Sequence, residues 1–274
     1  MLNYLDDRLF DRNKNMISSR PKKIHYCWFG SSPLPELALK CIESWKKYCP
    51  DYEIIEWNES NFDVHCCRYV EEAYNAKKWA FVSDYARFWI LYHYGGVYFD
   101  TDVELIKSID DLPDTFAGFE SDTTVASGLI RGATKGDSVC KMMIDSYQND
   151  RFLLDGDSFN FKTVCERETH ILEKNGLRKN GQLQIVANTV VYPRDYFCPK
   201  DFATGVLNIT ENTYAIHHYD GSWLPEEEKY YLKLYSNYRQ KHYSKLFAKL
   251  FARMKSTIKY RGVRGLLRKI FSKK

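Results

Sequence analysis

The sequence has no run of about eighteen uncharged apolar residues, the shortest length expected of a membrane-spanning helix. Its most apolar stretch, Phe81–Phe99, is interrupted by Asp84 and Arg87. The N-terminal segment Met1–Arg20 also lacks the apolar core of a secretory signal peptide. From these absences we expect a protein that does not cross a bilayer and that resides in the cytoplasm.

Cysteine pairs with the spacing of a zinc site are also missing. The eight cysteines include the neighbours Cys66 and Cys67, but no Cys-x-x-Cys pair occurs. They are spread over 274 residues, of which 16% are aromatic. This distribution differs from the dense disulfide framework of a small secreted domain, so we predict reduced thiols.

Acidic residues are absent from Arg239–Lys274, a segment that contains thirteen Lys and Arg. The preceding 238 residues carry 27 Lys and Arg against 36 Asp and Glu, a net charge of −9. The overall charge of +4 therefore combines an acidic body with a basic tail. No internal repeat and no Pro- or Gly-rich linker divides the body. The predicted organisation is an extension over 1–20, a main domain over 21–238 and a tail over 239–274.

Short apolar segments alternate with helical patterns at the start of the main domain. Lys22–Phe29 is typical of a buried strand, Pro35–Lys47 of an amphipathic helix, and Tyr52–Trp57 of a second strand. This order predicts an α/β fold that opens with a parallel β-α-β unit. Ligands of such folds bind at the carboxyl ends of strands, which places the loop at Trp28 in a candidate site.

The apolar pattern continues with a helix over Trp79–Tyr94, ended by Gly95-Gly96, and a strand at Val97–Phe99. Further strands are predicted near Thr115–Phe119, Ser127–Ile130, Leu183–Tyr192 and Tyr214–His218, and further helices near Val139–Tyr147 and Val164–Lys174.

The strand at Val97–Phe99 leads directly into Asp100-Thr101-Asp102. Residues two apart in an extended chain face the same side, so the two carboxylates can converge on one point. Oxygen donors at a strand end suit Mg²⁺ or Mn²⁺, which keeps positions for water and substrate phosphates. Surface acids recur at this spacing by chance, but the apolar strand before them favours a metal site.

Asp84 and Arg87 lie three residues apart within the apolar helix. One interpretation is an ordinary intrahelical ion pair. The other is that both face a polar cleft, because charges among apolar side chains are costly unless they are paired or used.

A pair of histidines, His217 and His218, follows a predicted strand and precedes Gly221-Ser222-Trp223. A histidine at this point can complete a metal site that the two aspartates begin. The alternative is that both histidines are packed or surface residues without a ligand role.

Together with Ile24–Gly30, these motifs resemble the bacterial capsular-polysaccharide type of glycosyltransferase family 32. More distantly, they resemble the glucosyltransferase domains of the large clostridial toxins. The resemblance covers roughly Pro21–Trp223 and is carried by an S-D-x-x-R helix followed by G-G-x-Y-x-D-x-D. It implies that 21–238 is a catalytic domain of the GT-A type, the nucleotide-diphospho-sugar transferase fold, with a Rossmann-like mixed sheet flanked by helices.

The resemblance implies a donor-binding role for five residues. Trp28 corresponds to the tryptophan that stacks on the uracil of a UDP-sugar, and Tyr98 to a tyrosine beside the nucleotide. Asp84 and Arg87 correspond to the pair that hydrogen-bonds the hydroxyls of the donor sugar. Asp100 corresponds to the acid that contacts ribose and sugar and belongs to the metal group.

The resemblance also implies a metal site for Mn²⁺ or Mg²⁺. Asp102 corresponds to the direct ligand, and His218 to the histidine that closes the site, with His217 as the alternative. Gly221 and Trp223 belong to the same motif as this histidine. We expect Ser222 and the Trp223 ring nitrogen to donate hydrogen bonds to the departing phosphate.

The implied activity is the retaining, metal-dependent transfer of a hexose or N-acetylhexosamine from a UDP-sugar to a glycan acceptor. We expect a lipid-linked acceptor in the synthesis of a surface polysaccharide such as a capsule, O-antigen or exopolysaccharide. The alternatives are a UDP-sugar hydrolase and a toxin-like enzyme that glycosylates protein. A non-enzymatic metal- or sugar-binding module would need neither Trp28 nor the Asp84–Arg87 pair.

The basic tail has an amphipathic pattern. Within Tyr243–Lys259 apolar residues recur three and four apart with bases on other faces, and Val263–Phe271 repeats this character. Basic amphipathic helices lie on anionic membrane surfaces, which predicts peripheral binding to the inner face of the plasma membrane. The alternative is packing on the catalytic body. Nucleic acid is not expected as a partner, because the rest of the chain is acidic.

Overall fold

The structure, a computed structural model, describes residues 19–155, 158–221, 224 and 226–271. Most of the predicted extension over 1–20 therefore lies outside the described residues, as do Ser222 and Trp223. The chain forms two compact units, one reaching Cys198 and including Thr210–His217, the other comprising Pro199–Ile209 and the chain from His218 onward. None of the described helices combines the length and apolar character that a bilayer span requires.

The first unit contains a mixed sheet flanked by helices, which confirms the predicted α/β class. The strands run in the order β2-β1-β3-β7-β5-β9-β8, β6 pairs with β5, and β4 and β10 form a separate antiparallel pair. In the described ranges the strands are β1 (Lys23–Cys27), β2 (Glu53–Trp57), β3 (Gly96–Tyr98), β4 (Val103–Leu105), β5 (Phe116–Ser121), β6 (Thr124–Val125), β7 (Arg131–Ala133), β8 (Gln184–Val186), β9 (Thr189–Tyr192) and β10 (Ala215–His217).

Four of the helices described in the first unit were predicted with close bounds, whereas those at Arg68–Asn75 and Arg194–Phe197 were not predicted. In the described ranges they are α1 (Glu36–Tyr48), α2 (Arg68–Asn75), α3 (Trp79–Tyr94), α4 (Ser138–Asp145), α5 (Val164–Lys174) and α6 (Arg194–Phe197). The predicted β-α-β opening is confirmed, because β1 pairs in parallel with β2 and α1 lies between them in the chain. β1 also pairs in parallel with β3, so the carboxyl ends of both strands share one edge of the sheet.

Helix α3 is apolar around most of its circumference because it packs on β1, β3 and β7 as well as on helices α2, α4 and α5. It ends at Gly95, and Gly95 and Gly96 both have positive φ, 65° and 107°. A side chain at Gly96 would place its first carbon 2.7 Å from the Lys23 carbonyl oxygen. The glycine pair therefore permits the sharp passage from α3 into β3.

Two sequence-based strand predictions differ from the structure. The predicted strand Leu183–Tyr192 is a hairpin of β8 and β9, in which Ala187 and Asn188 adopt φ of 47° and 63° in the two-residue turn. The strand predicted at Ser127–Ile130 is wrong, because 127–129 form a turn. This turn brings the Gly128 carbonyl oxygen to the Asp100 amide, 3.0 Å away, so a tertiary contact determines its shape.

All eight cysteines are free thiols in the structure. Five are buried, namely Cys27, Cys41, Cys49, Cys140 and Cys198. Burial raises the pKa of the Cys49 thiol to about 11, so it stays protonated at neutral pH. These five residues therefore act as small apolar groups in the core.

The described residues of the second unit form two helices, α7 (Glu226–Gln240) and α8 (Lys245–Phe271). Within the predicted tail over 239–274, residues 245–271 belong to α8, and 272–274 lie outside the described residues. Gly262, with φ 68° and ψ 177°, interrupts α8. The interruption falls between the two amphipathic stretches that the sequence pattern separated.

Candidate active site

The residues Asp100-Thr101-Asp102 form a turn between β3 and β4. The Val103 amide donates to the Asp100 carbonyl oxygen at 3.1 Å, which closes this turn. The expectation of an extended chain through Asp102 is therefore wrong. The two carboxylates have different partners: Asp100 lies against Arg87, and Asp102 lies against His217.

The guanidinium of Arg87 is the centre of a buried charged cluster. Its Nη2 lies 3.1 Å from Asp84 Oδ1 and 3.2 Å from Asp100 Oδ1. The guanidinium also lies over the Tyr98 ring, 4.8 Å from its centroid, and the Tyr98 hydroxyl donates to Asp100 Oδ1 at 3.1 Å. The predicted intrahelical pair therefore exists, and it extends across the fold to Asp100, two residues beyond the end of β3. We call these four residues the Arg87 cluster.

Burial determines the charge states in the Arg87 cluster. It raises the pKa of Asp84 to about 6, against the opposing effect of the Arg87 charge. Burial alone would lower the pKa of Arg87, but Asp100, Tyr98 and Asp84 raise it well above its ordinary value. The side chain of Arg87 is only 5% exposed while that of Asp100 is 33% exposed. The cluster thus holds a fixed cation and presents a carboxylate to solvent.

The second carboxylate, Asp102, lies beside His217. Antiparallel pairing of β10 with β4 aligns His217 with Val103, next to Asp102 in the chain. His217 Nε2 is 3.3 Å from Asp102 Oδ1. Burial alone would lower the pKa of His217, but the Asp102 carboxylate and a contact with Cys198 raise it to about 10. The imidazole is therefore protonated at neutral pH.

Gly128 lies against the Arg87 cluster and was not identified from the sequence. A side chain there would place its first carbon 2.0 Å from Asp100 Oδ2 and 3.1 Å from Arg87 Nη1. Its carbonyl oxygen accepts a hydrogen bond from the Asp100 amide. No local sequence signal identifies this glycine, because its partner is distant in the chain. Only a glycine at this point leaves the Asp100 carboxylate in place.

Trp28 lies in the loop after β1, as predicted. Its amide donates to the Trp57 carbonyl oxygen at 2.8 Å, and its ring Nε1 donates to the Ser32 carbonyl oxygen at 2.6 Å. The ring is half-buried. Because β1 and β3 are parallel neighbours, Trp28 and Asp100 follow their strands at the same edge of the sheet.

The structure brings together some of the predicted residues. The first unit contains Trp28, His217 and the Arg87 cluster, with Asp102 beside His217. His218 belongs to the second unit, where its carbonyl oxygen accepts from Lys200 Nζ at 2.7 Å. The predictions for Ser222 and Trp223 fall on residues outside the described ranges.

A divalent cation at Asp102 would need further ligands besides this carboxylate. In the part of the chain that the structure describes, no three His, Cys, Asp or Glu side chains form a group that could hold a metal ion. Mg²⁺ is usually bound through one or two carboxylates plus water and substrate phosphates, and Mn²⁺ accepts similar oxygen ligands. The Asp102 carboxylate fits such a site, and the His217 imidazole would have to lose its proton to join it.

Part of the chain matches a known protein family. The family model described as "Glycosyltransferase sugar-binding region containing DXD motif" matches residues 35–117. This segment contains Asp102 and the whole Arg87 cluster, whereas Trp28 and the two histidines lie outside it. The chain thus contains a region similar to the sugar-binding region of DXD glycosyltransferases.

Two curated relatives come from Schizosaccharomyces pombe. The chain is 29% identical to inositol phosphoceramide mannosyltransferase 3 over 106 residues, which are 36% of this chain and 28% of that protein. It is 31% identical to inositol phosphoceramide mannosyltransferase 1 over 103 residues, 34% of this chain and 31% of that protein. The matched segment thus spans less than a third of either relative. A solved structure named PaToxG Glycosyltransferase aligns with 61% of this chain and 76% of its own, at 19% identity and a TM-score of 0.44.

Proposed function

We propose that this chain transfers a hexose or N-acetylhexosamine from a UDP-sugar to a glycan acceptor, with Mn²⁺ or Mg²⁺. The observation that carries the proposal is the Arg87 cluster at the edge where β1 and β3 end. It lies within the segment that matches a glycosyltransferase sugar-binding region. The identities of the donor, the cation and the acceptor go beyond this match and are proposed here.

The Arg87 cluster supplies groups suited to sugar recognition. Asp84 and Asp100 each present carboxylate oxygens that accept hydrogen bonds from hydroxyl groups, and Arg87 holds both in fixed positions. Tyr98 adds a hydroxyl that is already oriented by Asp100. In the proposed complex these groups bind the ribose and the donor sugar, while Trp28 stacks on the uracil.

Asp102 would hold the cation, with His217 of the same unit as a further ligand. When bound, the cation would neutralise negative charge that develops on the departing diphosphate. The buried Arg87 cluster orients the sugar rather than attacking it, because Arg87 engages both carboxylates. We infer retention at the anomeric carbon, with the acceptor hydroxyl losing its proton to the leaving phosphate.

The proposed acceptor is a lipid-linked glycan in surface polysaccharide synthesis. The two curated relatives are named for mannosyl transfer to inositol phosphoceramide, which pairs a hexose with a lipid acceptor. This supports a lipid-linked acceptor as the first class to test. The names of these relatives do not indicate which base the donor nucleotide carries, so the base is determined by experiment.

The proposed function is tested by donor binding followed by product analysis. Ligands that bind the folded state raise its unfolding temperature, so a thermal-shift panel of UDP- and GDP-sugars with Mn²⁺ identifies the donor. We expect a UDP-sugar to give the largest shift and chelator to remove it. Incubation of that donor with lipid-linked glycans should then yield an extended glycan. Free sugar as the sole product in every reaction would instead indicate a hydrolase, and a preference for GDP-sugars would contradict the uridine assignment.

Gly128→Ala is expected to lower kcat/KM for the donor by about 100-fold, because displacement of a positioning group by about 1 Å has effects of this size. The new methyl group would collide with Asp100 Oδ2. The measurement is initial rate against donor concentration, with circular dichroism to verify folding. The control is Gly176→Ala, whose added carbon meets nothing within 4 Å; Gly176 has a positive φ of 102°, so this control tests backbone strain without a side-chain collision. Wild-type kcat/KM in Gly128→Ala would show that Asp100 is not needed where the structure places it.

A further inference from the structure

The first half of α8 has an outward surface made of two leucines and two lysines. Leu246 and Leu250 are 78% and 61% exposed, which is unusual for large apolar side chains. Lys245 and Lys249, one residue before each leucine, are exposed as well. Both pairs are four residues apart and so form adjacent rows on the helix. We call these four residues the Leu-Lys face.

Helix α8 packs through a different side. Ala248, Ala252 and Ser256 recur every four residues and are fully buried. The rings of Phe247 and Phe251 stack on each other with centroids 4.1 Å apart, and Phe247 meets Tyr238 of α7 edge-on at 5.9 Å. The contact side of α8 therefore consists of small residues and aromatic rings. The leucines point away from this side.

Ion pairs and a hydrogen bond fix the orientation of α8 on α7. Arg253 makes two bonds to the Glu228 carboxylate, of 2.6 and 2.9 Å. Ser256 Oγ donates to the Glu227 carbonyl oxygen at 2.6 Å, and Arg261 Nε lies 2.7 Å from Glu227 Oε2. Turning α8 to bury the leucines would break all of these contacts. The Leu-Lys face is thus a persistent surface of the second unit.

Exposed apolar side chains are concentrated in this unit. Of fifteen large apolar side chains that are exposed among the described residues, ten belong to the second unit, although it holds fewer than a third of the residues. Besides the two leucines they are Phe202, Val206, Leu207, Ile209, Tyr243, Ile258, Tyr260 and Val263. Leu246 and Leu250, one helical turn apart, are the two most exposed of the ten apart from Val263, which is also 61% exposed.

The positive charge of Arg239–Lys274 indicates which kind of partner the Leu-Lys face binds. Thirteen Lys and Arg and no acid lie in Arg239–Lys274. In a symmetric contact, the same face of a second copy would bring the same positive charge and be repelled. An anionic bilayer offers phosphate groups for the lysines and an acyl boundary for the leucines at once. Long lysine side chains can reach the phosphates while their stems lie beside the leucines.

We propose that the Leu-Lys face docks the second unit on an anionic lipid bilayer, with Leu246 and Leu250 inserted below the phosphate groups. This inference rests on the packing of α8 and is independent of the proposed glycosyl transfer. The sequence allowed either membrane binding or packing for the tail. In this proposal α8 does both, because it packs on α7 through one side and binds lipid through another.

The test is sedimentation of the full chain with vesicles of phosphatidylglycerol and phosphatidylcholine, and with vesicles of phosphatidylcholine alone. We expect wild type to bind the anionic vesicles and not the neutral ones, and added salt to weaken binding. Leu246→Gln with Leu250→Gln should bind anionic vesicles about tenfold more weakly or worse, because insertion of the two leucines is lost. Glutamine preserves charge and helix propensity.

The matched control changes two exposed apolar residues of the first unit, Leu39→Gln and Ile185→Gln, which are 51% and 48% exposed. This control should bind anionic vesicles like wild type. Lys245→Gln with Lys249→Gln provides a second variant in which both leucines remain, and it should also bind more weakly. Nucleotide-sugar turnover with a short soluble acceptor should be unchanged in all of them, which separates failure of docking from failure of the proposed function.

Three results would overturn the proposal. One is wild-type binding to anionic vesicles by the Leu246 and Leu250 double variant. Another is the absence of wild-type binding to those vesicles. The last is a dimer of the wild-type chain, measured by analytical ultracentrifugation, that the double variant loses, because this would assign the face to a second copy.

Discussion

Asp102→Asn is expected to lower kcat/KM for glycosyl transfer by at least about 1,000-fold, since the proposed cation stabilises the departing diphosphate by several kcal/mol. Asparagine keeps the shape of the side chain and removes its charge. The fold should survive, because the neighbouring His217 can lose its proton once the Asp102 carboxylate is gone. The measurements are initial rates with Mn²⁺, binding of UDP with and without Mn²⁺, and a thermal melt.

The matched control for Asp102→Asn is Glu104→Gln. Glu104 lies two residues away in β4 and pairs with Lys40 at 2.9 Å, outside the Arg87 cluster. This variant should keep wild-type rates and Mn²⁺-dependent UDP binding. Full transfer by Asp102→Asn, or by wild type in excess chelator, would contradict the role given to the cation.

Arg87→Met is expected to have the largest effect on stability. It removes a cation that contacts both Asp84 and Asp100 while its own side chain is only 5% exposed. Removing one partner of a buried pair costs about 3–5 kcal/mol because a carboxylate is left uncompensated. The free energy of unfolding, measured by urea titration, should fall by this amount. A variant as stable as wild type would show that the cluster does not hold the site together.

The loss of stability in Arg87→Met should depend on pH in a defined direction. Burial raises the pKa of Asp84 to about 6 even with Arg87 present, and losing the Arg87 charge would raise it further. The folded variant then holds a proton that the unfolded chain releases near pH 4. Its stability should therefore fall as pH rises through the pKa of folded Asp84. A loss that is equal at pH 5 and pH 8 would contradict this explanation.

Two companion variants keep this prediction testable if Arg87→Met does not fold. Arg87→Lys retains the charge but lacks the planar fork that contacts two carboxylates. We expect it to fold and to lose donor affinity. In the Asp84→Asn background, Arg87→Met should cost less than in wild type, because asparagine needs no counter-charge.

Elements with strong local signals could be predicted from the sequence. Helix α3 has the predicted bounds because its apolar pattern is long and Gly95-Gly96 ends it. Helix α5 also has the predicted bounds, with Thr163 and Glu166 forming a reciprocal capping box at its start. The predicted strand at Ser127–Ile130 failed because Gly128 is held in a turn by Asp100, a contact that no local pattern encodes.

Some contacts of the candidate site could likewise be predicted from local spacing, whereas others depend on the tertiary fold. The pairing of Asp84 with Arg87 follows from helical spacing, so one of the two sequence-based interpretations already contained it. The contact of Arg87 with Asp100 depends on how α3 packs against the end of β3. The contact of His217 with Asp102 depends on the pairing of β10 with β4, strands more than a hundred residues apart in the chain. The sequence therefore left the choice between His217 and His218 open.

The most direct test is a crystal structure of the full chain grown with MnCl₂ and UDP, with anomalous diffraction data to locate manganese. We predict an anomalous peak about 2.1 Å from an Asp102 carboxylate oxygen, the ligand distance of a small divalent cation. Diphosphate oxygens of UDP should complete its coordination. Bound UDP without manganese at Asp102, or manganese bound only elsewhere, would contradict the proposed role of this carboxylate.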